Sequence, residues 1–300
     1  MKRLFIVYNP RSSRFSDVKK AVLDRQKEFK GYLIGKYEVE PTDVDKNATK
    51  FAKLLKDGDL VISAGGDATG VISANAILKS GKDVCLAVLP FGNFNDFAKT
   101  LGTKSLNDIF GHQPSNYYPL EIFVDGELFR YATCYVTIGM MAEAVSIYDK
   151  PKMRKILKTA NGRNVGSYTN LASWYFKNRH KKVFLPDFKL NGELQPKKTS
   201  DYAAVNGKHM ARIMKGGEDY KSSTLFRSET DRLTNFWRLS KLMFKSILFR
   251  IPGSETKGDE IEFLNPATVE IQAEGEYKTL ESIKKIEIRK SKKCLKVIKN

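Results

Sequence analysis

The chain has 300 residues, 41% of them hydrophobic, enough for one large buried core or two modest ones. Lysine and arginine number 52 against 34 acids, a net charge of +18 that points to polyanionic partners: nucleotides, nucleic acid or an anionic membrane face. Cys85, Cys134 and Cys294 lie far apart without a CxxC pair, which excludes a disulfide frame or a cysteine zinc site, and no run approaches the roughly 18 apolar residues of a membrane span.

In chain order, "RLFIVYNP" is a short apolar run closed by turn residues, hence a buried strand. Its apolar stretch is too short for a signal peptide. Asp17 to Phe29, with Val18, Val22 and Leu23, predicts a helix, and "GYLIGKYEVE" a second strand. "DVDKNATKFAKLLKDG" carries Ala48, Phe51, Ala52 and Leu55 at helical spacing and stops at Gly58. "DLVISAGG" is the third strand, Thr69 to Leu78 a helix, "VCLAVLP" the fourth strand and "NFNDFAKTLG" a short helix closed by Gly102. Alternating strands and helices imply a parallel sheet with crossover helices.

After Pro119 the rhythm changes. "LEIFVDGELFRYATCYVTIG" has two extended runs around Asp125-Gly126, and "VFLPDFKLNGELQPKKTSDYAAVNG" repeats the pattern around Asn191-Gly192. "DEIEFLNPATVEIQAEGEYKTL" and "KKIEIRKSKKCLKVI" are strand-like, with helical inserts near 151–180 and 230–250. The expected organisation is an α/β domain over 1–120 and an antiparallel β domain over 121–300, with the extreme C-terminus free to pack back on the first.

Ligands of an open parallel sheet bind at the carboxyl ends of its strands. There stands "VISAGGDATG": Gly65 and Gly66 let backbone approach a phosphate, and the following helix offers free N–H groups. Asp67 is placed to meet a metal ion or a ribose hydroxyl, or to cap the helix in an ordinary strand-to-helix turn. The fourth strand ends in "LPFGNFNDFAKTLG" and the first in "NPRSS". One such turn carries little information, whereas three on adjacent strand ends describe a nucleotide cleft.

These motifs resemble the diacylglycerol kinase catalytic family in its bacterial lipid kinase branch, which includes sphingosine kinases. The family's NPxSG, GGDGTxNE, PxGTxNDFAxxLG and DGE stand here as "NPRSS", "GGDATGVI", "PFGNFNDFAKTLG" and "AEGE". "TIGMMAEAV", "VGSYTNL", "FKLNGE" and "AAVNGK" follow in the family's order. The resemblance implies an ATP-binding α/β domain, a β-sandwich second domain and an interdomain cleft where the γ-phosphate passes to a lipid hydroxyl with Mg²⁺. It assigns Asn9, Gly65, Gly66, Asp67, Ala68, Thr69, Gly92, Asn93, Asn95 and Asp96 to the nucleotide site. It gives Glu276 the part of proton acceptor, with Glu274 beside it as a second negative charge. The "DGE" at Asp125 and the "NGE" at Asn191 read as hairpin turns.

The chain departs from the family pattern at several places. Ala68 replaces the third glycine, at a cost of about 1–2 kcal/mol where φ is positive. Val71 and Ile72 replace a polar pair, Asn93 a threonine, Ser13 a glycine and Glu274 an aspartate. After "VNGK" comes "HMARIMKGGEDYKSSTL" instead of the family's Asp-Asp-Gly metal segment, which leaves the metal ligands unassigned. The reading is a cytoplasmic lipid kinase that touches an anionic membrane peripherally, and a homodimer is compatible with it. "FWRLSKLMFKSILFRIP" is either a core helix with a basic edge or an interfacial helix with Arg238, Lys241 and Lys245 on one face. The alternatives are a catalytically impaired nucleotide- or lipid-binding module and a nucleic-acid-binding protein. No zinc pattern or RNA-recognition signature supports the last.

Overall fold

The computed structural model describes residues 2–40, 43–110, 112–156, 158–159, 165–178, 185–195, 199–212, 214–216, 225–231, 244–245, 247–249 and 254–300. Its contacts divide the chain into two units, Met1–Pro119 with Ser291–Asn300, and Leu120–Lys290.

The first unit carries the expected parallel strands: β1 (Lys2–Tyr8), β2 (Tyr32–Glu38), β3 (Leu60–Gly65) and β4 (Cys85–Pro90), followed by β5 (Pro114–Tyr117). β1 pairs with both β2 and β3, and β3 with β4, all in parallel. Period-two alternation sends β1 side chains to both faces. Leu4 and Ile6 join a buried cluster with Val18, Val22, Phe29, Ile62 and Leu89. Phe5 meets Phe51 edge-on at 5.6 Å on the other side.

The helices are α1 (Phe15–Val18), α2 (Val44–Ala52), α3 (Asp67–Ser80) and α4 (Asp96–Leu101). Asp43 caps α2 by accepting from the Asp45 N–H at 2.6 Å. Ten consecutive residues of α3, Thr69 to Leu78, are buried, because the helix lies against both the sheet and α2. Its polar members turn inward on the helix: Ser73 Oγ donates to the Thr69 carbonyl and Asn75 Nδ2 to that of Val71, both at 2.9 Å. Gly81, at φ 66°, ends it in the left-handed conformation. The single helix expected over Asp17–Phe29 is broken into α1, a π turn at Lys19–Leu23 and a 3₁₀ turn at Gln26–Glu28. Val18 and Val22 supply one buried i,i+4 pair, too little apolar face to propagate a continuous helix.

The second unit is antiparallel. Its strands are β6 (Leu120–Val124), β7 (Glu127–Ala132), β8 (Tyr135–Gly139), β9 (Phe188–Leu190), β10 (Glu193–Leu194), β11 (Thr199–Val205), β12 (His209–Met210), β13 (Met214–Lys215), β14 (Leu225–Asp231), β15 (Ser254–Thr256), β16 (Gly258–Ala273) and β17 (Glu276–Lys290). The main sheet runs β15-β14-β11-β8-β16-β17-β6-β7, and β9 joins β16 to β10. Its core gathers Leu120, Ile122, Val136, Ile138, Tyr202, Ile261, Phe263, Ile271, Ile286 and Ile288. The β16–β17 register breaks after Glu262, where Asn265-Pro266 interrupts the ladder. α5 (Met140–Val145), α6 (Pro151–Ile156) and α7 (Ser167–Asn178) fill the first helical insert. The basic segment 236–252 lies largely outside the described residues. Among the described residues no helix is long and apolar enough to cross a membrane.

The last strand, β18 (Leu295–Ile298), returns to the first unit, pairing with β4 in parallel and β5 antiparallel. The sheet order is therefore β2-β1-β3-β4-β18-β5. Lys296 reaches Asp83 at 2.7 Å, and the Asn300 N–H donates to the Leu101 carbonyl at the end of α4.

Candidate functional site

The loops after β1, β3 and β4 come together at one edge of the parallel sheet. The Phe91 N–H donates to the Gly65 carbonyl at 3.0 Å, which ties the β4 loop to the β3 loop. Gly66 and Gly92 touch backbone to backbone: a Cβ on Gly92 would run into Gly66 Cα, and one on Gly66 would lie 3.1 Å from Gly92 Cα. A Cβ on Gly65 would run into Thr69 Oγ1. The glycines are thus required by close approach rather than by φ. Gly92→Ala forces backbone apart, so it is expected to cost about 1–3 kcal/mol. Thermal melting checks this, and an unchanged midpoint would refute the contact.

Asp67 fastens the same pair of loops. Its Oδ2 accepts from the Asn95 N–H at 2.8 Å and its Oδ1 from the Asp96 N–H at 2.7 Å. Burial pushes its carboxyl above the usual range, while these bonds and one from the Phe97 N–H pull it down. Asn95 sits at φ 59°, and its amide closes the turn by accepting from the Gly92 N–H (2.6 Å) and donating to the Gly92 carbonyl (2.9 Å). An asparagine is among the few residues suited to that conformation. The helix caps divide differently from the simplest sequence reading: Gly66, not Asp67, is the N-cap of α3, and no side chain caps it.

Ala68 is in the first turn of α3 and has no positive φ. The strain expected of an alanine in place of glycine is absent, because this position is helical. Ala68→Gly should lower stability by up to about 1 kcal/mol, the propensity difference. A rise in melting temperature would contradict it.

The β1 loop completes the group. Asn9 Oδ1 accepts from the Arg11 N–H at 2.9 Å, and Ser13 Oγ lies 3.4 Å from Asn93 Oδ1. Ser12 Oγ is buried with no partner among the described residues. Arg14 escaped the sequence reading. It donates to the Pro90 carbonyl at 3.1 Å, pairs with Asp17 at 2.7 Å and lies over the Phe91 ring at 5.8 Å. A second basic residue just past "NPRSS" was its one signal. Of the ten residues expected at the nucleotide site, Asn9, Gly92, Asn93 and Asn95 lie on these loops, Gly65 ends β3, Gly66 to Thr69 open the 14-residue α3 and Asp96 opens α4, with Thr69 and Asp96 buried.

The two glutamates belong to the second unit, at the β16–β17 hairpin. Ala273 pairs with Glu276, so Glu274-Gly275 is a two-residue turn. Both turn residues have positive φ, 51° and 91°, the signature of a type I′ turn. Glu274 does not stand as a second charge beside Glu276. Its side chain is buried, and its carboxylate accepts from Thr133 Oγ1 (2.7 Å to either oxygen), the Cys134 N–H and the Tyr135 N–H (3.3 Å). Reaching into the β7–β8 turn satisfies a charge that would otherwise be costly to bury. Thr133, 141 residues from Glu274 in the chain, had no signal in the sequence. Asp125-Gly126 and Asn191-Gly192 are hairpin turns, as expected, with positive φ at each residue.

Comparison with known proteins agrees with this picture. Residues 3–113 match the model of the diacylglycerol kinase catalytic domain. A diacylglycerol kinase of Bacillus subtilis (strain 168) is 38% identical over 105 residues, covering 34% of each protein. One from Staphylococcus epidermidis is 32% identical over 143 residues, 47% of this chain and 40% of that protein. The match thus spans well under half the length of these curated relatives. The fold resembles a crystal structure of a diacylglycerol kinase from Bacillus anthracis str. Sterne with a TM-score of 0.69 at 18% identity, over 100% of this chain and 97% of that one. A second structure from the same organism, of a protein described as a diacylglycerol kinase, gives 0.68 at 17% identity over the same shares. The glycine pair, the Asp67 bridge and the Asn-Asp-Phe-Ala run fall inside the matched segment, so the part of the chain that is similar to the diacylglycerol kinase catalytic domain is the part that carries these turns.

Proposed function

We propose that the chain is an ATP-dependent lipid kinase that transfers the γ-phosphoryl group to the hydroxyl of a diacylglycerol-like lipid. The observation that carries the reading is the Asp67 bridge, which holds Gly66 and Gly92 in backbone contact beside the start of α3. Phosphoryl transfer depends on positioning and charge stabilisation more than on covalent chemistry, and glycine-lined N–H groups serve both. Asn9, Gly65, Gly66, Ala68, Thr69, Gly92, Asn93, Asn95 and Asp96 then surround the nucleotide, and Arg14 adds positive charge at its edge. Glu276 accepts the proton of the lipid hydroxyl.

Among the described residues no three His, Cys, Asp or Glu side chains cluster to hold a metal by themselves. Mg²⁺ carried by ATP fits such a site, since it keeps phosphate oxygens and waters and takes one or two carboxylates. Asp67 would be the carboxylate to meet that ion, with the acceptor positions its oxygens keep beside the Asn95 and Asp96 N–H groups. When bound, the ion would neutralise charge on the phosphates. The +18 charge favours a peripheral encounter with anionic lipid surfaces.

Labelled ATP offered with diacylglycerol, other glycerolipids and sphingoid bases tests the reading. Label in a lipid phosphate supports it and names the acceptor. ATP binding without transfer to any lipid would favour a nucleotide-binding module instead.

A further inference from the structure

Among the described residues of the second unit, three two-residue hairpin turns are built alike except in one respect. Their first residues are Asp125, Asn191 and Glu274, all at positive φ. Aspartate and asparagine suit that conformation, whereas glutamate does not. Each side chain pins a neighbouring segment. Asp125 Oδ1 accepts from the Lys284 and Lys285 N–H groups, and Asn191 Oδ1 from that of Glu260. Glu274 likewise reaches beyond its own hairpin, to the β7–β8 turn beside the strand that pairs with β16, but with a longer side chain that is buried.

That turn is held from a second side. The Asn206 and Gly207 N–H groups donate to the Cys134 carbonyl at 2.6 and 2.9 Å, and Asn206 Nδ2 to the Thr133 carbonyl at 3.0 Å. Lys290 Nζ donates to Asn206 Oδ1. On the hairpin itself, the Gln272 side-chain amide lies between Thr137 Oγ1 and the Glu274 and Gly275 N–H groups; assigned with its oxygen toward those two N–H groups, at 3.1 and 2.5 Å, it donates its nitrogen to Thr137 Oγ1 at 2.7 Å. A residue poorly suited to its conformation is thus over-determined by its surroundings, the pattern of strain held at a functional position.

We propose that Glu274 is a positioning residue: bound to Thr133 and Cys134, it fixes the turn that sets Glu276 in place for proton transfer. The inference rests on the reading of Glu276 as proton acceptor. The one-methylene extension over the family's aspartate is what lets the carboxylate span from the hairpin to the β7–β8 turn. Positioning of this kind is worth much, since misplacing a reacting group by about 1 Å costs on the order of 10²-fold.

Thr133→Val removes the hydroxyl donor and leaves the turn sequence intact. Glu274→Asn keeps a residue that favours the turn and removes the reach. Both should raise amide exchange at residues 274–276 before global unfolding, an outcome read without any assay of activity. In transfer from ATP to dioleoylglycerol in mixed micelles, both should lower kcat by about 10²-fold with KM for ATP unchanged. Thr133→Ser should restore the rate. Introduced into Glu276→Gln, Thr133→Val should cost nothing further, because both changes remove the same contribution. Losses that multiply in the double variant, or protection at 274–276 equal to that of the wild type, overturn the proposal. Wild-type turnover in Glu276→Gln alone overturns the reading of Glu276, and the proposal falls with it. Should Thr133→Val fail to fold, Glu274→Asn carries the same comparisons.

Discussion

Asp67→Ala will unfasten the β3 and β4 loops and abolish turnover. The substitution strips the acceptor from the Asn95 and Asp96 N–H groups, bonds of 2.8 and 2.7 Å. A buried donor left unpaired costs about 1–3 kcal/mol. Asn95 then has less to hold it at φ 59°, and the Gly92 turn that its amide closes should loosen. Calorimetry with Mg-ATP is expected to show affinity weakened at least tenfold, and melting a lower midpoint. Wild-type affinity in the variant would mean that the loops keep their course without the bridge. No nucleotide binding by the wild-type protein would remove the foundation of the kinase reading.

The second large effect is expected from Glu276→Gln. The amide keeps the shape of the side chain and cannot take a proton. Turnover should fall by roughly 10²–10⁴-fold, the usual contribution of a general base. ATP affinity should be retained, because the residues proposed for the nucleotide site belong to the other unit. The turn should persist as well, since the bonds from the Glu274 carboxylate to the β7–β8 turn are untouched. Near-normal turnover on the acceptor lipid would return Glu276 to an ordinary place at the end of a hairpin and leave the proton acceptor unassigned.

Much of the first unit was legible in the sequence, because its determinants are local. Apolar runs of five to seven residues bounded by glycine, proline and asparagine mark the buried strands of a parallel sheet, and the motif glycines fall at their carboxyl ends. Gly81 and Gly102 ended their helices in the left-handed conformation, as their positions predicted. The hairpins at Asp125 and Asn191 were equally local, for a two-residue turn is specified by its own two residues. By contrast, the helix expected over Asp17–Phe29 broke because helical spacing alone does not say how much of a face finds a core.

What the sequence by itself determined is most of the order of strands and helices and the three polar turns at strand ends, each a property of a few consecutive residues. The tertiary structure decided what depends on residues far apart. It placed β18 between β4 and β5, since several parallel-sheet positions would accept a short apolar strand and only packing selects one. It gave Asp67 a partner loop 28 and 29 residues on, where the sequence offered a metal ligand or a cap with equal ease. It removed the cost of Ala68 by placing it in a helix. It also took Glu274 out of an expected carboxylate pair and buried it against Thr133 and Cys134, because a buried charge goes where donors are, and those donors came from the β7–β8 turn.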